Sequence, residues 1–148
     1  MHVGLRETIE TDLPILFRNQ ADAESSAMAA FPSRDWEAFV AHQAKIETNE
    51  TVRSRTIVAD GEVAGSIGSW QAEDERLVGY WIGREFWGRG VATAALHAFL
   101  ALETSRPLTA YVAAHNLGSR RVLEKCGFTV VRQQRAEDGV EEFVTTLD

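Results

Sequence analysis

Apolar residues recur along the chain with two different periods, and the switches between them mark out the elements. Val3 to Ile9 alternates as a strand does. Thr11 or Asp12 then caps a short helix with Pro14 in its first turn, where the missing N–H has no partner to lose. Ser33 opens a second helix, with Trp36, Phe39 and Val40 at helical spacing and Gln43 and Ile46 on adjoining faces. Arg55 to Ala59, Val63 to Trp70 and Leu77 to Ile82 read as strands, divided by the hairpin signal Asp60-Gly61 and the acidic stretch Glu73-Asp74-Glu75. From about Gly90 to Glu103 the period returns to that of a helix, whose buried stripe is Val91, Ala95, Leu96, Phe99 and Leu102. Pro107 to Ala113 is a strand and Leu117 to Cys126 a helix. Gly127 suits the left-handed position past that helix, setting Phe128 against Leu123. Strands around Phe128 to Val131 and Glu142 to Leu147 follow. An antiparallel meander and then alternating strands and helices predict an α/β (mixed α+β) fold: a mostly antiparallel mixed sheet of about six to seven strands flanked by about four helices.

At 148 residues, with no repeat, low-complexity tract or Pro/Gly linker, the chain reads as one domain, 1–148. Its net charge of -7 and pI near 5.1 argue against broad nucleic-acid or anionic-membrane binding, and make a basic or amine-bearing substrate the better electrostatic match. Cys126 is the sole cysteine, so no internal disulfide forms, and at a helix end it reads as a small buried hydrophobe. The N-terminal stretch lacks the apolar run of a signal peptide, and no segment nears the ~20 apolar residues of a membrane span. A soluble cytoplasmic protein is expected. His42, His97 and His115 stand in no metal-ligand spacing, so no metal is expected either.

Two stretches carry chemistry. In Gly79 to Leu96 an apolar strand runs into Gly88-Arg89-Gly90, which opens an apolar-faced helix. The first N–H groups of a helix lack partners within it, and its dipole adds roughly half a positive charge at that end, so a phosphate fits there. The dinucleotide fingerprint would need glycine at Thr93, and no Gly-Lys-Ser/Thr loop is present. In the second stretch Asn116 and Ser119 are three residues apart, on one side of the start of another helix, with Asn116 as its N-cap.

Taken together, Gly79-Tyr80-Trp81-Ile82-Gly83, Trp87-Gly88-Arg89-Gly90-Val91-Ala92-Thr93 and Asn116-x-x-Ser119-x-x-x-Leu123-Glu124-Lys125-x-Gly127-Phe128 resemble the GNAT superfamily of acyl-CoA N-acyltransferases. The resemblance spans essentially the whole chain and is nearest the branch of ribosomal-protein N-terminal acetyltransferases. It implies that the strand with Trp81, Ile82 and Gly83 pairs with the pantetheine arm of acetyl-CoA. It implies also that Gly88, Arg89, Gly90, Val91, Ala92 and Thr93 cradle the pyrophosphate, that Asn116 contacts pantetheine, and that Ser119 sits by the thioester sulfur as the catalytic hydroxyl. Arg89, Arg120, Arg121 and Lys125 are candidates for the outer phosphate and adenosine. Two departures stand out: Glu85 occupies the first position of the R/Q-x-x-G-x-G/A pattern, and Leu77 stands where relatives often carry a carboxylate.

The expected reaction is acetyl transfer from acetyl-CoA to a primary amine, at a peptide or protein N-terminus or on a small molecule. Leu77 leaves the general base open. An α-amine with pKa roughly 7.7 to 8 needs less help than lysine at ~10.4, a difference of roughly 3 to 4 kcal/mol, which favours an α-amine. Glu73, Asp74 and Glu75 are expected beside the cleft end of the strand, with Glu75 the candidate base; the competing reading is a solvated acidic loop. Most of Trp36, Phe39, Trp70, Tyr80, Trp81 and Trp87 read as core, with Trp36 or Trp70 as candidate walls of the acceptor pocket. The competing functional classes are a non-catalytic CoA-binding sensor or interaction domain, kept open by Leu77, and a nucleotide-binding enzyme, disfavoured by the two missing fingerprints. A monomer or homodimer is expected; the length of the acyl group and the acceptor stay open.

Overall fold

Asp60 and Gly61 both take positive φ, 49° and 83°, the conformation that lets a two-residue turn follow the twist of a hairpin. They join β2 (Arg53–Ala59) to β3 (Glu62–Ala72) in a computed structural model that describes residues 1–148. The other strands are β1 (Val3–Arg6), β4 (Glu75–Ile82), β5 (Leu108–Ala113), β6 (Thr129–Arg135) and β7 (Glu141–Leu147). Five helices flank them: α1 (Leu13–Ala21), α2 (Ala23–Ala29), α3 (Trp36–Thr48), α4 (Val91–Leu102) and α5 (Leu117–Lys125). The single sheet runs β1-β2-β3-β4-β5-β7-β6.

Every neighbouring pair is antiparallel except β4 and β5. Those two are in register only at Arg76↔Leu108 and Leu77↔Thr109, after which they part. From Val78 to Ile82 one edge of β4 therefore has no strand beside it. Gly83 N–H donates to Ala64 on the β3 side, so by the two-residue period of a strand Tyr80 and Ile82 turn their peptide groups to the open edge.

The same period sorts side chains between the two faces. Val78, Tyr80 and Ile82 share a face with Ile67 and Ser69, their register partners or neighbours on β3. α4 covers this face and buries Val91, Ala95, Leu96 and Phe99 there. Burying Leu96 and Phe99 stabilises the fold by about 1.5–3 kcal/mol each. α1 takes the opposite face, where its Asn19 carbonyl accepts from the Trp81 indole at 3.0 Å.

Three details depart from the sequence reading. α4 ends at Leu102, which is exposed, and the next residue, Glu103, is buried in its place, accepting from Ser69 and Arg76. β1 stops at Arg6, because that guanidinium forks onto the buried Asp12 at 2.7 and 2.9 Å and draws the chain into α1. α2 was not anticipated: its sequence, AESSAMA, has no apolar stripe, and its start is fixed by the Asp22 carboxylate accepting from Ser25 N–H at 3.0 Å.

Candidate active site

Gly90, with φ 77°, stands at the N-cap of α4, two residues after Gly88, with φ 73°. No atom lies within 4 Å of where a Cβ would stand on either, so both glycines serve the backbone's conformation and leave the space above it open. The free N–H groups of the first turn of α4 face that space. Across it, Asn116 caps α5 as expected, its side-chain oxygen accepting from Ser119 N–H at 3.2 Å.

Between α4, α5 and the free edge of β4 lies a cavity of about 630 Å³. Trp81, Ile82, Gly88, Gly90, Val91, Ala92, Thr93, Asn116 and Ser119 all line it, which gathers most of the residues the sequence singled out. Gly83 does not line it. Its N–H is already bonded to Ala64, and Asn19 Oδ1 lies 2.9 Å from its Cβ position, so this glycine is needed for the packing of α1. Arg89 is also off the wall, because its guanidinium lies over the Phe86 ring at 5.4 Å. Of the other candidate cations, Arg121 and Lys125 line the cavity one helical turn apart, whereas Arg120 lies over Phe143 at 4.5 Å and pairs with Glu124. Cys126 is where a small hydrophobe was expected, its thiol pushed up by burial.

Tyr80 was read as core, and the structure gives it more to do. Its hydroxyl lies 2.7 Å from the Ser119 hydroxyl and also reaches the Ser119 carbonyl at 3.2 Å. Burial pushes its phenol up to about 12, against the opposing effect of the Ser119 hydrogen bond. The signal for it in the sequence is slight: a tyrosine at an alternate position of a strand otherwise apolar on that face, with Val78 and Ile82 beside it.

On the other face of β4 lies a second cavity, of about 690 Å³, walled by α1, α3 and the loop between α2 and α3. Tyr80, Trp81 and Ala29 border both cavities, so β4 and the end of α2 form the partition. His115 Nε2 lies 2.9 Å from the Ala27 carbonyl, tying α2 to the turn before α5. Phe39 and Trp70 line the second cavity; Trp36 instead packs on Phe17, with ring centroids 5.3 Å apart. Arg34, Lys45, Arg55 and His42 are on its wall, and no aspartate or glutamate is. Burial, followed by the charges of Arg34 and Lys45, holds the His42 imidazole below its ordinary pKa.

The expectation that the acidic stretch borders the cleft is overturned. Glu75 begins β4 at the end where β4 and β5 are paired, lines neither cavity, and accepts from the Tyr111 hydroxyl at 2.6 Å. The sheet opens at the far end of the strand.

A sheet opened at β4, with a glycine turn and a capped helix facing the opening, is the arrangement of an acetyltransferase fold, and residues 2–129 match the family model described as the acetyltransferase (GNAT) domain. The chain belongs to the GNAT family. Among curated proteins it is 35% identical over 92 residues to YdaF of Bacillus subtilis (strain 168), named as a ribosomal N-acetyltransferase. That match takes in 57% of this chain and 49% of YdaF, so it spans about half the relative's length. The fold also superposes on spermidine N-acetyltransferase from Vibrio cholerae in complex with CoA and spermine, with TM-score 0.84, 14% identity and coverage of 98% and 94% of the two chains. RimL, a ribosomal L7/L12 alpha-N-protein acetyltransferase in its apo form, gives TM-score 0.80, 18% identity and coverage of 98% and 89%. No helix of the chain is long and apolar enough to cross a membrane.

Proposed function

We propose that this chain is an acetyl-CoA-dependent N-acetyltransferase whose acceptor is a primary α-amine, at a protein N-terminus or on a small molecule. The observation that carries this reading is the Tyr80–Ser119 pair at the junction of two cavities on opposite faces of a strand with a free edge. In this reading the first cavity takes CoA. The N–H groups from Gly88 to Thr93 receive the pyrophosphate, with Arg121 and Lys125 near the outer phosphate. Pantetheine pairs with the open edge of β4 and meets Asn116, and the acyl group ends beside Tyr80.

The amine enters from the second cavity and its neutral nitrogen attacks the thioester carbonyl carbon. Negative charge gathers on the carbonyl oxygen, where a free N–H of the β4 edge is worth most. The C–S bond then breaks, its electron pair leaves on sulfur, and the amine's proton passes to solvent. A phenol pushed up to about 12 keeps its proton beside a thiolate whose thiol titrates near ~8.5. Tyr80 therefore stabilises the leaving sulfur through a donated hydrogen bond, and the thiol takes its proton from water. Ser119 orients that phenol and adds a second hydroxyl.

No carboxylate lines either cavity, so no strong base awaits the amine. This suits an α-amine, which lies roughly one unit above neutral pH, and disfavours lysine, which lies over three units above it. Binding separates this reading from a nucleotide enzyme: CoA should raise the melting temperature, with about 2.7 kcal/mol of added stability at a hundred times its Kd, and ATP and NAD should not. A shift with ATP or NAD equal to that with CoA would overturn the reading.

A further inference from the structure

Charge in this protein is sorted against its own average. Carboxylates outnumber lysines and arginines 22 to 15 in the chain, yet the second cavity holds Arg34 and Lys45 on its helical wall and no acidic side chain among 24 lining residues. We propose that the acceptor carries an anionic group, a carboxylate or phosphate, within a few bonds of the amine that is acetylated. The proposal rests on the acetyltransferase reading above and names its substrate class.

The two cations arrive from separate segments: Arg34 from the loop before α3 and Lys45 from α3. Neither has a carboxylate within 4.0 Å; the chain's ion pairs are made by Arg6, Arg76, Arg84, Arg120 and Arg135. Arg34 is also held in place. The buried Gln20 amide clamps its main chain from both sides, donating to the Arg34 carbonyl and accepting from its N–H, each at 3.0 Å. Its guanidinium lies over the Phe31 ring at 5.1 Å, a contact with the ring face that leaves the N–H donors at the rim free. Unpaired cations around a cavity without acidic side chains are complementary to an anion and oppose a polycation.

The same cations help the chemistry. A positive neighbour disfavours the protonated form of an amine, as Arg34 and Lys45 already do for His42, so the site promotes the neutral nucleophile without a carboxylate base. The anion on the acceptor then compensates for placing its amine in that field. This sets the protein apart from the polyamine enzyme with which it shares a fold, where the bound molecule is spermine.

The test is calorimetric titration of the CoA-loaded protein, in which no acyl group is present to turn over. The ligands are the tripeptide amides Glu-Ala-Ala, Gln-Ala-Ala and Lys-Ala-Ala, with free glutamate, O-phosphoserine and spermidine. The glutamyl peptide should bind about tenfold more tightly than the glutaminyl one, with the lysyl peptide and spermidine weakest. Free glutamate and O-phosphoserine separate a small anionic amine from a peptide. Arg34→Gln should remove most of the acidic preference, and Lys45→Glu, on an exposed helix position where folding is insensitive, should narrow or invert it. Equal or tighter binding of the neutral peptide, the lysyl peptide or spermidine would overturn the proposal, as would no binding by any anionic ligand. Failure of the acetyltransferase reading looks different: acidic ligands bind with this preference, but acetyl-CoA releases no thiol in their presence.

Discussion

The hydroxyl of Tyr80 lies 2.7 Å from that of Ser119, bridging the free edge of β4 to the first turn of α5. The bond joins a strand that continues the sheet to the helix that closes the first cavity. Its removal should be felt at the sulfur before it is felt in the fold. Tyr80→Phe should lower kcat by about 10²-fold or more, in the range of a lost transition-state donor, with a smaller change in the Kd of CoA. Ser119→Ala should lower kcat less, because the phenol remains. Steady-state kinetics beside CoA titration checks both, and unchanged turnover in Tyr80→Phe removes it from the mechanism.

Gly90 gives a separate handle on the phosphate turn. A side chain there meets no atom within 4 Å, so crowding is not the penalty; the positive φ of 77° is. Gly90→Ala should destabilise the protein by about 1 kcal/mol and weaken CoA binding more than the melting temperature suggests, as the first N–H groups of α4 shift. Desulfo-CoA and dephospho-CoA titrations would locate the loss, which is expected to be shared by both since both retain the pyrophosphate.

Gly65 holds β4 against β3. A Cβ at this position would sit among the backbone atoms of Trp81 and Ile82, closer than any real contact, so the two strands must move apart to accept one. Gly65→Ala should cost about 1–3 kcal/mol in urea unfolding and also reduce turnover, because the strand it displaces carries Tyr80. Full activity with unchanged stability would show that β4 is not held in this way.

Glu103 provides the pH test. Burial alone would raise its carboxyl, but hydrogen bonds from Ser69, Arg76 and Ser105 N–H outweigh that and hold it at about 2, against an ordinary value of 4.5. A depressed folded pKa contributes stability above the unfolded value, and that contribution is lost as pH falls from about 4.5 towards 2. At most about 3 kcal/mol is involved. Glu103→Gln should therefore be less stable than the parent at pH 7, with a gap that shrinks by pH 3. Urea midpoints at both pH values measure it, and a gap constant with pH would contradict the assignment.

The parts legible in the sequence are those that local chemistry specifies. Asn116 caps α5, and Gly127, with φ 96°, ends its helix in the left-handed conformation, with Phe128 N–H reaching Leu123 at 3.0 Å. The glycine turn before α4 was equally readable, since only glycine takes that backbone without strain. What escaped depends on partners far along the chain. The parting of β4 from β5 is invisible in either strand, so Glu75 was assigned to the wrong end of the cleft. Tyr80 looked apolar until Ser119, 39 residues later, was beside it. The charge of the second cavity is a third case: a net charge of -7 favoured a basic substrate, whereas Arg34 and Lys45 meet there from a loop and a helix with no acidic side chain beside them. α2 has no apolar stripe to announce it, and only Asp22 three residues before Ser25 carries its cap.

The most direct test of the account is thiol release from acetyl-CoA across matched acceptors: peptides with a free N-terminus and no lysine, the same peptides with a blocked N-terminus and one lysine, and no amine. The account predicts stoichiometric thiol release and N-terminal acetylation by mass spectrometry with the free α-amine, and rates lower by at least about tenfold with the lysine peptide. CoA binding without thiol release from any amine, or a clear preference for lysine, would contradict it.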